Sequence, residues 1–183
     1  VMGSRYVCGR SMSGWAASVR VVLLLALSLA TGGSVWSQIT GVGGIARDFT
    51  VVNRETGEDI HLQDYAGTVL VLDFFAYWCG PCQASSPDLE VNINQYYASR
   101  GGNPNGVPVV VLPVNIEQGN EPATDQFIVN AGLDLVANDY ARDAYDQFKT
   151  GYIPLFIIIN GVGGSPSHQQ WEVLYRESGY EGA

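Results

Sequence analysis

The sequence predicts an α/β domain built on a central sheet with helices packed against it. Three observations carry that expectation. The runs Val69–Phe75, Val107–Ile116 and Pro154–Asn160 are predominantly apolar, broken only by Asp73, Asn115 and Asn160, as expected of strands covered on both faces. The stretches between them space their apolar residues at helical intervals. The resulting order is strand, helix, strand, helix, strand, strand, which places helices against a shared sheet.

The elements follow in order along the chain. Arg5, Arg10 and Arg20 precede or border an apolar run from Val21 to Ala30, and no acidic residue occurs before Asp48. A basic start, a short apolar run and then small residues form the layout of a secretory signal, with cleavage expected between Ser37 and Gln38. An uncleaved membrane anchor is the alternative for residues 1–37. It is the weaker one, because a span needs roughly 20 apolar residues and Ser18, Arg20 and Ser28 interrupt the tract. Cys8 lies upstream of the apolar run and would leave with it. Residues 38–47, rich in glycine, read as a flexible lead-in to a domain over 48–183.

Phe49, Val51 and Val52, then a polar turn across 53–59, then Ile60 and Leu62 predict two short strands as an N-terminal β extension. After the Val69–Phe75 strand a helix is expected to about Ser99, started near Pro81, with Leu89, Ile93 and Tyr97 on one stripe and a kink at Pro87. Further helices are expected over 121–131 and 140–149. A last strand is marked by alternating Trp171, Val173 and Tyr175.

Charge narrows the function before any motif does. Nine basic side chains face 18 acidic ones, for a net charge of −9; without the first 37 residues the balance is 6 to 18, or −12. A nucleic-acid binder needs clustered Lys and Arg on phosphates, and none occur here. The glycine clusters at 41–44 and 161–164 do not open helices, so neither forms a dinucleotide site.

Trp78-Cys79-Gly80-Pro81-Cys82 is where chemistry concentrates. Disulfide exchange needs a thiolate, and the N-terminus of a helix supplies one by stabilising negative charge at the first cysteine. Two intervening residues set the second cysteine one turn into the helix, where it can close on a mixed disulfide. Cys79 is therefore expected as the exposed nucleophile and Cys82 as the buried resolving thiol. A zinc site would need four ligands, and His61 and His168 are isolated, so no metal is expected. A purely structural bridge across so short a loop stabilises little. Asp73, inside an apolar strand six residues before Cys79, should have its pKa raised by burial.

With these residues the chain resembles the thioredoxin superfamily, and within it the exported thiol-disulfide oxidoreductases of the TlpA/ResA type. The resemblance rests on Val69–Phe75 with the WCGPC motif and on Phe148-Lys149-Thr150-Gly151-Tyr152-Ile153-Pro154-Leu155, and it extends over most of 48–179. It implies a thioredoxin-like fold with a central mixed sheet, and an insertion over 117–139 before the strand that a cis Pro154 begins. It implies that Ile153 and Pro154 bind the substrate chain beside Gly80 and Pro81, with Trp78 as an exposed docking aromatic. Asp73 matches the thioredoxin carboxylate that takes a proton from the resolving thiol. Where TlpA/ResA members often place Asn at that strand position and a Glu soon after the CxxC pair, this chain has Asp73, Ser85 and Ser86.

The implied activity is dithiol/disulfide exchange with no cofactor beyond the redox-active cysteine pair. Expected partners are protein disulfides or dithiols and an upstream membrane or soluble electron donor, on the periplasmic or extracytoplasmic side, with a membrane tether through the N-terminal segment as an option. Reduction, as in cytochrome c maturation or disulfide repair, is favoured over oxidation. The alternative is a non-catalytic binding or redox-sensing module of the same fold. A peroxiredoxin reading is weaker, because the Thr-x-x-Cys context is absent. Family members usually close with a helix after the last strand, and none is read here up to Ala183: either the chain is cut short, or one sheet face is covered by the N-terminal apolar segment or by another subunit.

Overall fold

The computed structural model describes residues 38–181; the expected signal or anchor over 1–37, with Cys8, lies outside them. A single mixed sheet organises the described chain, in the order β2-β1-β5-β4-β3-β6-β7. β1 (Thr50–Asn53) and β2 (Asp59–His61) form the N-terminal hairpin. β3 (Val69–Phe75) lies at the centre, parallel to β4 (Val109–Asn115) and antiparallel to β6 (Leu155–Asn160). β7 (Glu172–Ser178) forms the far edge beside β6.

The two faces of β3 are dressed differently, and the difference positions the site. Leu70, Leu72 and Phe74 point into the main core with Phe49, Leu112, Phe148, Leu155 and Ile157. Val71, Asp73 and Phe75 alternate onto the other face. There Val71 packs with Val111, Leu89 and Ile93, while Phe75 packs with Cys79, Cys82 and Phe127. The strand therefore carries one carboxylate between two apolar clusters.

α1 (Gly80–Leu89) follows β3 directly and passes through Pro87 without ending. A π-helical turn over Glu90–Gln95 and a short α2 (Tyr96–Ala98) extend it to the length expected from the sequence. Inside the π turn Asn94 donates to both carboxylate oxygens of the buried Glu90 and accepts the Val111 N–H of β4. α3 (Glu121–Ala131) spans the expected residues, with Asn120 as its N-cap and Gly132, at φ 65°, as its left-handed stop.

Three expectations are corrected and one strand is added. The helix expected over 140–149 shrinks to α4 (Tyr145–Phe148), because Arg142 takes φ 61° and the Asp139 carboxylate captures the Tyr145 N–H at 2.7 Å. Just before it, β5 (Ala137–Asn138) is a strand too short for any sequence period to reveal. Tyr175 does not share a face with Val173: a register shift between Ile158 and Ile159 inserts an extra residue into β7, so Val173 is buried and Tyr175 exposed. The lead-in 38–47 is tied down, with Thr40, Gly43 and Ala46 donating backbone bonds to Gln147, Val173 and Trp171.

On the α1 side of β6 and β7 an open groove of about 650 Å³ is lined by Val71, Leu89, Ile93, Phe156, Ile158 and Tyr175, among others. Among the described residues no helix is long and apolar enough to cross a membrane.

Candidate active site

Cys79 ends the β3–α1 connection as the N-cap of α1, at φ −79° and ψ 102°. Gly80 and Pro81 form the first helical positions, where proline loses nothing because its missing N–H would have no partner. The Cys79 Sγ accepts the Cys82 N–H at 3.2 Å, so the first sulfur sits in the ring of unpaired amides that a helix start presents. Cys79 and Cys82 are joined in a disulfide, with their Cα atoms 5.2 Å apart.

Cys82 is fully buried, as expected for the resolving position. Cys79 is not the exposed residue that the sequence suggested. In the disulfide it is only 3% exposed, packed with Phe75, Phe127, Ala131 and half-buried Ile153. Phe127 of α3 stacks on Phe75 at 4.6 Å between ring centroids, which brings α3 against the cysteine pair. Access at the surface is instead framed by Trp78, Gly80 and Pro81, all exposed.

The Ile153–Pro154 peptide is cis. Pro154 is buried and leads into β6, whose Leu155 pairs with Phe74 of β3, so the turn before it lies at the same sheet end as the cysteines. Ile153 contacts both the main core and the cluster around the disulfide.

Asp73 is fully buried under α1. Its Oδ2 accepts the Ser86 hydroxyl at 2.7 Å, and its Oδ1 has no hydrogen-bond partner. Burial pushes its pKa from 3.8 up to about 7, with the Ser86 bond acting in the opposite direction. A carboxyl in that range changes protonation state near neutral pH.

Comparison with known proteins agrees with this geometry. Residues 42–110 match the model of the AhpC/TSA family. The thiol-disulfide oxidoreductase ResA of Oceanobacillus iheyensis is 29% identical over 131 residues, covering 69% of this chain and 64% of that protein. ResA of Bacillus subtilis is 26% identical over 152 residues, covering 79% of each. Among solved structures, StoA from Bacillus subtilis superposes with a TM-score of 0.53 at 20% identity, over 73% of this chain and 88% of that one. The thioredoxin domain of a thiol-disulfide oxidoreductase from Bacteroides vulgatus superposes at 0.59 and 15% identity, over 76% and 90%. These structural likenesses establish the fold. The chain has a thioredoxin-like fold and is similar to the thiol-disulfide oxidoreductases of the ResA type.

The fold gathers Cys79, Cys82, Gly80, Pro81, Ile153 and Pro154 at one end of the central strands. Asp73 lies two residues before Phe75 on the same face of β3, buried against α1 with Ser86 donating to its Oδ2. Trp78 is 56% exposed, and its indole N–H donates to Glu117 Oε2 at 2.8 Å. The sequence alone gives Glu117 no role. It follows β4 directly and is held by reciprocal bonds with Asn115: the Asn115 amide donates to the Glu117 carbonyl and Asn115 Oδ1 accepts the Glu117 N–H. Only the placement of β4 beside β3 joins a glutamate at 117 to a tryptophan at 78, and no local pattern could have paired them. Ser86 was visible as an unusual residue, but its partner across the helix–strand interface was not. Among the described residues no cluster of three or more His, Cys, Asp or Glu could hold a metal ion.

Proposed function

We propose that this protein acts outside the cytosol as a reductase of protein disulfides. The observation that carries the reading is the Cys79–Cys82 pair, with Cys79 as N-cap of α1 and its sulfur accepting a backbone N–H of the first turn. In the reduced protein those donors stabilise a Cys79 thiolate. The thiolate attacks one sulfur of the partner disulfide, forming a mixed disulfide and releasing the other partner sulfur, which takes a proton from solvent. Cys82 then gives its proton to Asp73 and attacks Cys79 Sγ. The second partner sulfur leaves with the electron pair of the mixed disulfide and takes a proton from solvent, so the partner departs as a dithiol with two electrons gained, and the Cys79–Cys82 disulfide remains to be reduced by an upstream dithiol donor.

Trp78, Gly80, Pro81 and the backbone of Ile153 and Pro154 form the docking ledge in this reading, along which an extended partner segment lies. Gly80-Pro81 with Ile153 resembles the reducing members of the superfamily, which favours reduction over oxidation. A reduction potential near about −270 mV supports that direction, and one near about −120 mV reverses it.

The test is the Cys82→Ser variant, which stops the reaction at the mixed disulfide. It should retain partner proteins covalently through Cys79, released by dithiothreitol. Recovery of none from an extract of exported proteins, with the variant folded and Cys79 free to alkylate, would overturn the proposal. The 3% exposure of Cys79 favours one other reading, a module that binds or senses partners without turnover. It requires that insulin reduction with dithiothreitol be no faster than the reagent alone.

A further inference from the structure

Among the described residues Ser86 is the one side chain that hydrogen-bonds Asp73, and the exchange scheme leaves it without a task. Ser86 is 1% exposed and Asp73 fully buried. Ser86 stands one helical turn after Cys82, so both face the same way along α1. The carboxyl has two oxygens in unlike settings: Oδ2 holds the Ser86 hydroxyl at 2.7 Å, and Oδ1 is buried with no partner.

We propose that Ser86 is a positioning residue of the exchange reaction: its hydroxyl fixes the Asp73 carboxyl through Oδ2 and thereby makes Oδ1 the atom that receives the Cys82 proton. The inference rests on the exchange reading above for the identity of the proton donor. The step balances within the site. The Cys82 S–H bond breaks, the O–H bond forms at Asp73 Oδ1, and the Cys82 electron pair forms the S–S bond to Cys79 as the partner sulfur departs with the pair of the old bond.

The neighbours leave Ser86 as the polar control. In register with Asp73 stand Pro113 of β4 and Phe156 of β6, neither of them titratable. Along α1 and its continuation the titratable side chains are Cys82, Asp88, Glu90, Tyr96 and Tyr97, the last two on the far end with Tyr97 beside Val71 and Val111 rather than Asp73. Asp88 bonds Asn92 and Tyr180, and Glu90 bonds Asn94 and Gln95. The displaced pKa of Asp73 accordingly has burial and the Ser86 bond as its causes, and no charged neighbour. A hydroxyl that donates to Oδ2 favours the carboxylate, since a hydrogen bond to the charged form stabilises it. Serine therefore holds the acceptor ionised over a wider pH range than burial alone would allow.

Two readouts on the reduced full chain test this. The first is the Asp73 titration followed by carboxyl carbon NMR. The second is the pH profile of the resolving step in a single turnover with a preformed mixed disulfide. Ser86→Ala should move the Asp73 midpoint upward by about one pH unit, the size expected from one hydrogen bond to a charged group, and carry the kinetic midpoint with it. Ser86→Thr, which keeps the hydroxyl, should return both midpoints to the wild-type values. A packing role alone would lower the stability of S86A while leaving its midpoints in place, and that result would overturn the proposal. So would an S86T titration displaced as far as that of S86A. The NMR arm needs no turnover, so failure of the exchange reading in the insulin or trapping assays is seen separately from failure here.

Discussion

Asp73 and Asp139 are both almost fully buried, both keep Oδ1 without a partner, and both have pKa values raised by burial. Their partners on Oδ2 differ. Asp139 takes backbone N–H groups from the chain that folds over it, Tyr145 at 2.7 Å with Ala144 and Asp143 beside it. Asp73 takes a single hydroxyl. Several fixed amides closing a turn compensate a buried charge and commit it to that turn. One rotatable hydroxyl compensates little, and the carboxyl stays balanced between two protonation states at about pH 7. Burial with sparse, adjustable hydrogen bonding is what the proposed proton-carrying role of Asp73 requires, and burial alone does not provide it.

The sharpest way to break that comparison is through pH. The folded pKa of Asp73 stands at about 7 against an ordinary 3.8, so the folded protein holds a proton that the unfolded chain releases. The stability that this proton contributes is full below pH 3.8 and is lost as pH rises towards 7. The wild type should therefore lose on the order of 4 kcal/mol relative to Asp73→Asn across that window. Urea denaturation of the oxidised proteins, in which neither cysteine titrates, isolates the term; parallel curves for the two proteins would refute it. In the reduced enzyme the same variant should slow the resolving step about a hundredfold at neutral pH and flatten its pH profile, the scale of a lost general base.

Asp139→Ala provides the opposite limb. It strips the acceptor from buried amides between β5 and α4 and should cost about 2–3 kcal/mol in urea denaturation. The reduction potential and the rate of exchange per folded molecule should stay at wild-type values. A shift in potential of more than about 10 mV would show that the two carboxylates are coupled after all.

The same contrast explains what could be read from the sequence. β3, β4, α3 and β6 were legible because each follows its own period or caps, and WCGPC because its chemistry lies within five consecutive residues. The burial of Asp73 was legible too, since a carboxylate inside Val69–Phe75 has nowhere else to go. Its hydrogen bond to Ser86 was not, being a contact across 13 residues decided by how α1 settles on β3. Around Asp139 the period was misleading: Tyr140, Ala144, Tyr145 and Phe148 are helically spaced, yet the Asp139 carboxylate and the positive φ of Arg142 hold the first part out of a helix. Competition by a side-chain carboxylate for backbone amides overrode the apolar stripe.

A third carboxylate, outside the core, sets the lower bound of the comparison. Glu117 receives the Trp78 indole N–H at 2.8 Å at the margin of the proposed docking ledge. Partly open to water, it has little desolvation to offset, and its bond competes with hydration at every moment. Glu117→Gln keeps an acceptor in the same place and removes only the charge. Stability should change by about 0.5 kcal/mol or less, and kcat/KM for a disulfide peptide by no more than about twofold. Glu117→Ala, which frees the indole, should broaden the fluorescence response of Trp78 on reduction and raise KM more than it lowers kcat. If E117Q instead matched D73N in slowing the resolving step, the charge beside Trp78 would be part of proton handling, and depth of burial would cease to separate the two kinds of acid.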